Sequence, residues 1–87
     1  MAAPTLVHGH VVDKQGRPVA GARISWASGP VALPEVMLLS DGDGGFTLSA
    51  PAPGRYELRC DSDDHGSAQQ ALQASGKALK LRLQLPG

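Results

Sequence analysis

The chain has 87 residues, and its eight Lys and Arg balance its eight Asp and Glu, so the formal net charge is zero. A neutral chain generates no long-range field that gathers phosphates or anionic lipids, which argues against nucleic acids and membrane surfaces as main partners. This length predicts one domain, residues 1–87, that buries roughly 60–65% of its unfolded surface and folds alone.

Turn residues divide the chain into short apolar segments, which predicts strands and no helix. Most of the eleven Gly and seven Pro fall between these segments, where an all-β chain needs its turns. The predicted strands are residues 6–12, 22–27, 35–40, one that begins at 46, 55–61, 67–74 and 79–85. Seven strands at this spacing predict an all-β, seven-stranded antiparallel Greek-key β-sandwich with one face of each sheet buried.

Apolar and polar side chains alternate along most of these strands, which assigns each side chain to a face. The alternation is strictest in the last strand, where four leucines alternate with Lys80, Arg82 and Gln84. These three polar side chains are predicted to be exposed, because a one-residue slip in register would bury them. The residues predicted to face inward are Val7, Gly9, Val11, Ala22, Ile24, Trp26, Phe46, Tyr56, Leu58, Cys60, Leu79, Leu81, Leu83 and Leu85.

The inner faces take the side chains that stacking or nucleophilic attack would need. Trp26, Phe46 and Tyr56 all face inward, so no aromatic platform remains outside for carbohydrates or bases. Cys60 is the single cysteine and has no partner for an internal disulfide. A buried thiol is inert, and the sequence has no Gly-x-Ser-x-Gly nucleophile turn. No catalytic residue is therefore assigned.

The third predicted strand carries four apolar residues in succession, Val36 to Leu39. At least one or two of these side chains must face away from the core if the segment is a strand. One interpretation is a docking surface for a neighbouring domain or a second copy. The other is that the loop of residues 28–34 covers the stripe, with Val31 and Leu33 as the covering side chains.

Five turn-bearing segments resemble the carboxypeptidase regulatory-like domain, namely residues 9–13, 16–18, 21–24, 41–46 and 53–58. The resemblance spans nearly the whole chain. It implies a transthyretin-like, or prealbumin-like, sandwich that acts as a non-catalytic accessory or protein-interaction module of a larger protein or beside one. The implied partner is a protein domain, which can lie in the same parent polypeptide, and no cofactor is implied. The motifs consist mostly of turn residues, so they specify fold rather than ligand.

The run of residues 10–13 followed by 16–18 also resembles the opening motif of transthyretin-related hydroxyisourate hydrolases. In that family the histidine that matches His10 belongs to the catalytic site. The family ends in a Tyr-Arg-Gly-Ser motif with catalytic and interface residues, whereas this chain ends in Leu-Gln-Leu-Pro-Gly. A hydroxyisourate hydrolase-like enzyme is therefore the catalytic alternative.

His8 and His10 stand two residues apart on one strand and so face the same side, where two imidazoles could bind a transition metal. A third ligand is missing, because His65, the remaining histidine, lies far away in the sequence. Alternation alone places pairs at this spacing on an outer face. Two exposed strand residues are the favoured interpretation, and no metal is assigned.

Asp41 and Asp43 resemble the start of a calcium loop, because carboxylates on a tight turn can converge on one cation. An EF-hand would place an oxygen ligand at Gly45 and a bidentate Glu at Ala52. An Asp-Gly hairpin turn is therefore favoured over calcium binding. A second acidic segment is predicted to be a solvated loop, with a weak cation site as the alternative. Its acidic residues are Asp61, Asp63 and Asp64.

No apolar run approaches the roughly 18 residues of a membrane helix, and the first four residues lack the basic start and apolar stretch of a signal peptide. No membrane insertion is expected. The compartment stays open, because a complete chain would be cytoplasmic, whereas a piece of a longer secreted or envelope protein would be extracytoplasmic. The oligomeric state stays open as well.

Overall fold

The computed structural model describes residues 4–33 and 37–87. Its seven strands are β1 (Thr5–Val12), β2 (Arg23–Ser28), β3 (Leu38–Leu39), β4 (Gly45–Ala50), β5 (Gly54–Ser62), β6 (Gly66–Ala74) and β7 (Leu79–Gln84). No helix in the described part of the chain is long and apolar enough to cross a membrane.

The strands form two sheets, one with the order β4-β1-β7 and one with the order β3-β2-β5-β6. Consecutive strands pair in β2–β3 and in β5–β6, and the other connections pass from one sheet to the other. The all-β sandwich of seven strands is thus confirmed. One detail is wrong, since β1 and β7 pair in parallel and the other pairs are antiparallel. Alternation fixes which face of a strand is buried but not which strand lies beside it, so the sequence did not reveal this pair.

The core lies between the two sheets and contains most of the residues predicted to face inward. Lys80, Arg82 and Gln84 are exposed while Leu83 and Leu85 are buried, so the predicted register of β7 is confirmed. Leu79 and Leu81 are only half-buried because β7 lies at a sheet edge. The core side chains are Val7, Val11, Val19, Ala22, Ile24, Phe46, Leu48, Ala50, Tyr56, Leu58, Cys60, Leu72, Ala74, Leu83 and Leu85.

Trp26 points inward as predicted but is half-buried rather than part of the closed core. A bulge shifts the register of β2 between Trp26 and Ser28, and a bulge bends a strand and re-aims its side chains. The indole packs on Tyr56, with ring centroids 4.8 Å apart. The Tyr56 hydroxyl is fixed in turn, because it donates to the Ala52 carbonyl at 2.7 Å.

The third strand is much shorter than the predicted residues 35–40, since β3 comprises Leu38–Leu39. The predicted residues 35 and 36, Val36 among them, lie outside the described residues. Leu38 is half-buried and packs against the core, whereas Met37 and Leu39 are exposed. The outward pair of the apolar stripe is therefore Met37 and Leu39.

The turn before β4 packs against β1 and requires a glycine. The Val11 amide donates to the Gly44 carbonyl at 2.8 Å. Gly44 has φ +77°, and a Cβ built on it would lie 2.5 Å from the Val11 carbonyl oxygen. This close approach fixes the end of β1 that carries His10.

Candidate functional site

The outer side of the three-stranded sheet brings together two histidines and two basic side chains. His8 lies opposite Thr47 on β4 and Lys80 on β7, and His10 lies opposite Arg82 on β7. Residues directly opposite on antiparallel strands, such as His8 and Thr47, have Cβ atoms about 4.5–5.5 Å apart. All five side chains are exposed. We call this set of five residues the histidine face.

His8 and His10 point outward, as predicted. Their neighbours on β7 are basic side chains, which do not bind metal cations. Within residues 4–33 and 37–87, no group of three or more His, Cys, Asp or Glu could hold a metal ion. Lys80 and Arg82 are cations and repel another cation. His65 lies elsewhere, where its Nδ1 atom is 3.1 Å from the Gly87 carbonyl oxygen.

The chemistry of the histidine face is that of solvated side chains. His8 Nδ1 lies 3.2 Å from Thr47 Oγ1, an exposed hydrogen bond. Catalytic acid–base groups act best in a cavity that excludes water. A shallow depression of about 250 Å³ does occur, but its lining belongs to β5 and β6 of the other sheet. It is lined by Arg55, Ala71, Leu72 and Gln73.

Asp41 has the role of a turn cap in the segment that resembled a calcium loop. Its Oδ1 atom accepts hydrogen bonds from the amides of Asp43, at 2.9 Å, and Gly45, at 2.8 Å. The Asp41 amide and carbonyl also close the turn, through the Gly45 carbonyl and the Gly44 amide, each at 2.9 Å. Asp41 and Asp43 are both exposed. The tight Asp-Gly turn that the sequence favoured is therefore present, but it is not a hairpin, because β3 and β4 belong to different sheets.

Asp13 forms the same turn at the end of β1, a role that the sequence analysis missed. Its Oδ1 atom accepts from the amides of Gln15, at 2.8 Å, and Arg17, at 3.0 Å. Its own amide and carbonyl bond to Arg17 and Gly16, each at 2.9 Å. The shared signal is an Asp followed three residues later by a glycine with positive φ, Gly16 here and Gly44 in the other turn.

Asp13 differs from Asp41 in being buried. The hydrogen bond from the Arg17 backbone amide lowers the pKa of Asp13 from its ordinary value of 3.8, against an opposing effect of burial. A further hydrogen bond from Arg17 Nε to Asp13 Oδ2, at 3.2 Å, acts in the same direction. Asp13 is thus a structural carboxylate that stabilises a turn.

Two acids of the segment at the end of β5 and in the loop after it are paired with arginines. Asp61 accepts from Arg59 Nε at 3.1 Å, and Asp63 accepts from Arg23 at 2.9 Å. The hydrogen bond from Arg23 also lowers the pKa of Asp63. These two ion pairs lie in the four-stranded sheet and the loop after β5, where Arg23 belongs to β2 and Arg59 to β5.

Cys60 is buried in the core, as predicted. Burial raises the pKa of its thiol to about 11, and the neighbouring Asp61 carboxylate acts in the same direction. A thiol with a raised pKa carries little of the thiolate that attacks substrates. Cys60 therefore contributes packing and no nucleophile.

The second candidate surface is the β3 edge, which we define as Met37 and Leu39. These two side chains are 60% and 62% exposed. Leu39 lies opposite Arg23, whose guanidinium bonds Asp63, so charged groups border the apolar pair. In the preceding loop Leu33 packs against the core and Val31 is itself 44% exposed. The predicted cover from these two residues therefore leaves most of the β3 edge open to solvent.

Comparisons with known proteins identify the domain family and the fold, and they single out neither of the two surfaces. The sequence model of the carboxypeptidase regulatory-like domain matches residues 6–86. A search of curated proteins finds no match.

Two of the solved structures that match this chain illustrate the shared fold. A 5-hydroxyisourate hydrolase from Klebsiella pneumoniae matches 100% of this chain and 91% of its own, with 22% identity and a TM-score of 0.65. The 3-chlorocatechol 1,2-dioxygenase of Rhodococcus opacus 1CP matches 99% of this chain and 61% of its own, with 14% identity and a TM-score of 0.68. At these identities the likeness concerns the fold alone, and it confirms the predicted transthyretin-like sandwich.

Proposed function

The chain belongs to the carboxypeptidase regulatory-like domain family, and from that premise we propose that it is a non-catalytic accessory module that docks on another protein domain through the β3 edge. The observation that carries the proposal is the exposure of Met37 and Leu39, at 60% and 62%. Covering exposed apolar side chains with a partner is favourable, because it removes their surface from water.

The surroundings of the β3 edge resemble the centre of a small protein interface. An apolar centre with a polar rim is the usual arrangement of such contacts. Here Arg23 and Asp63 supply the rim beside Leu39. β3 also lies at the end of its sheet, where a strand has backbone groups available for a partner. The partner that fits is a protein surface with an apolar depression and polar groups around it.

The alternative function is hydroxyisourate hydrolase-like catalysis, and one observation favours it. His10 lies next to Arg82 on the outer side of a fold shared with the Klebsiella pneumoniae hydrolase. Against it, His10 is exposed on the outer face of a sheet. A solvated imidazole without a desolvated cavity provides little rate acceleration.

Site-specific photo-cross-linking tests the docking proposal. A benzophenone amino acid at Leu39 should form a covalent adduct with a discrete partner in the cells that express the chain. The same amino acid at Gln84, an exposed residue on the far sheet, should not. The captured partner is then purified, and its affinity for the chain is measured by calorimetry.

The affinity measurement decides whether the β3 edge carries the contact. The variant Met37→Ser/Leu39→Ser should weaken binding about tenfold or more. Leu6→Ser, which removes another apolar side chain that is 45% exposed, should leave the affinity unchanged. Equal losses in both variants, or an adduct that forms equally from Gln84, would rule out the β3 edge as the docking surface.

A further inference from the structure

The two sheets of the sandwich have unequal widths, and the difference leaves one side of the core partly open. Three strands face four, and β7 at the edge of the smaller sheet contacts β6 at the edge of the larger one. Gln70 on β6 lies opposite the fully buried Leu58 and on the same face, yet Gln70 is exposed. Leu79 and Leu81 of β7 also point inward and are only half-buried. The core between β6 and β7 therefore lacks the cover that a fourth strand beside β7 would provide.

The backbone of β7 has hydrogen-bonding groups that point toward this open side. The N–H and C=O of one strand residue point to the same side, and successive residues alternate. The Leu85 amide donates to the Val12 carbonyl of β1 at 2.9 Å, so the odd-numbered residues of β7 face β1. Lys80, Arg82 and Gln84 consequently each direct an N–H and a C=O away from β1, where the described residues place no further strand. Such an edge is a template for another strand.

The side chains on the outer face of β7 determine which strands this edge accepts. Lys80 and Arg82 are exposed there, and neither forms an ion pair with another residue of the described chain. None of the three strands of this sheet, β4, β1 and β7, contains an Asp or a Glu. A second copy of β7, paired about a twofold axis at Leu81, would bring Lys80 opposite Arg82. Like charges destabilise such pairs and opposite charges stabilise them, so the edge rejects basic strands and favours acidic ones.

We propose that the open edge of β7 binds an extended segment of a partner protein in which apolar and acidic residues alternate. The segment pairs with the outward N–H and C=O groups of Lys80, Arg82 and Gln84. Because successive side chains of a strand point to opposite faces, its apolar side chains enter the sandwich and cover Leu79 and Leu81. Its carboxylates lie on the outer face beside Lys80 and Arg82. This contact is separate from the β3 edge, which belongs to the other sheet, so either proposal can fail without the other.

A single added strand makes a small interface. β7 has six residues, and a strand of that length buries less than the roughly 1,600 Å² of a standard protein interface. We therefore expect an isolated peptide to bind with a dissociation constant on the order of 100 µM.

Titration of the purified chain with synthetic peptides tests the proposal. The first peptide alternates Val and Glu over about seven residues, enough to pair along β7, and is blocked at both termini. Calorimetry measures its affinity. Replacing every Glu by Lys places like charges opposite Lys80 and Arg82, and replacing every Val by Ser removes the side chains that cover Leu79 and Leu81. Each replacement should abolish binding up to about 1 mM peptide.

Charge reversal in the chain separates the β7 edge from other basic surfaces. Arg82→Glu should weaken binding of the Val-Glu peptide about fivefold and improve binding of the Val-Lys peptide. Arg55→Glu makes the same change at an exposed position on β5 of the other sheet and should leave both affinities unchanged. Circular dichroism establishes that both variants are folded.

Amide hydrogen exchange, measured by NMR, distinguishes strand pairing from attraction between charges alone. At a peptide concentration about ten times the dissociation constant, the amides of Lys80, Arg82 and Gln84 should exchange about tenfold more slowly. Those of Leu81 and Leu83 face β1 and should change little.

Four results would overturn the proposal. They are failure of the Val-Glu peptide to bind up to about 1 mM, binding without slower exchange of the outward amides, and equal losses of affinity in Arg82→Glu and Arg55→Glu. The fourth is a dimer of the chain alone in which those amides are already protected, because a second copy would then occupy the edge.

Discussion

The histidine face and the β3 edge differ in what each would gain from a partner. The histidine face has the residue types of a reactive site, but its imidazoles and cations are already solvated, and His8 bonds Thr47. The β3 edge has no reactive group, yet its two apolar side chains are more than half exposed. Each Å² of apolar surface removed from water is worth about 25 cal/mol. The docking proposal therefore rests on the environment of these side chains rather than on their chemical type.

The histidine face is held in place by the turn at Gly44, which packs against Val11 of β1. Gly44→Ala should disrupt this packing and lower the stability of the fold. The new Cβ would approach the Val11 carbonyl to 2.5 Å at φ +77°. A clash with backbone at a left-handed position costs about 2–4 kcal/mol of unfolding free energy. Denaturant titration measures the loss.

Gly42→Ala in the same turn is the matched control. A Cβ at Gly42 meets nothing within 4 Å, so the free energy of unfolding should change by no more than about 0.5 kcal/mol. Equal losses from Gly42→Ala and Gly44→Ala would mean that the turn does not pack on β1 as described.

Low pH should affect the stability of the two regions differently, although a carboxyl with a lowered pKa lies beside each of them. Asp13 closes the turn after β1, and Asp63 pairs with Arg23 opposite Leu39. Both have a pKa below the ordinary value of 3.8 in the folded chain. Each therefore adds stability above pH 3.8 that is lost as the pH falls through the lowered folded value.

The free energy of unfolding, measured as the pH is lowered below 3.8, should depend more on Asp13 than on Asp63. Asp13→Asn should flatten the acid loss at low and at high salt, because its partners are backbone amides around a buried carboxyl. Asp63→Asn should have an effect only at low salt, since the Asp63 side chain is 84% exposed and salt screens such pairs. The reverse order of the two variants would contradict the assigned roles.

Removing the β3 edge should have little effect on the fold. Met37→Ser/Leu39→Ser should lower the free energy of unfolding by less than about 1 kcal/mol, because exposed side chains contribute little packing. Leu38→Ser is the neighbouring control, since Leu38 packs against the core. Its loss should be larger. A large loss from the double variant would indicate that Met37 and Leu39 pack internally, and the docking proposal would then fail.

The smallest expected effect is that of the one hydrogen bond within the histidine face. Thr47→Val removes the partner of His8 Nδ1. An exposed hydrogen bond contributes little, so the free energy of unfolding should change by about 0.5 kcal/mol or less. A loss of several times that amount would mean that the histidine face is a structural centre rather than a solvated surface.

Alternation in the sequence predicted the parts of this fold that depend on a single strand. It placed the leucines of β7 inward and His8 and His10 outward. It did not predict the parallel pairing of β1 with β7, because neighbours in a sheet are set by connections that carry no periodic signal. The turn role of Asp13 could have been found, since its spacing to Gly16 repeats that of Asp41 to Gly44.

The β3 edge shows a different limit. Four apolar residues in a row predicted that some would face outward, but whether the preceding loop covers them depends on tertiary packing. Leu33 turns into the core instead. The register that brings Arg23 opposite Leu39 is likewise a property of two strands together, so the sequence of either alone did not reveal it.

The most direct test between a non-catalytic docking module and an enzyme is an assay of 5-hydroxyisourate decay with the purified chain. A 5-hydroxyisourate hydrolase serves as the positive control. His10→Ala removes the imidazole beside Arg82, and His8→Ala is the matched control on the same strand. We predict that the unaltered chain and both variants leave the spontaneous rate unchanged. Acceleration by the unaltered chain that is lost in His10→Ala and kept in His8→Ala would contradict a non-catalytic module and make the histidine face an active site.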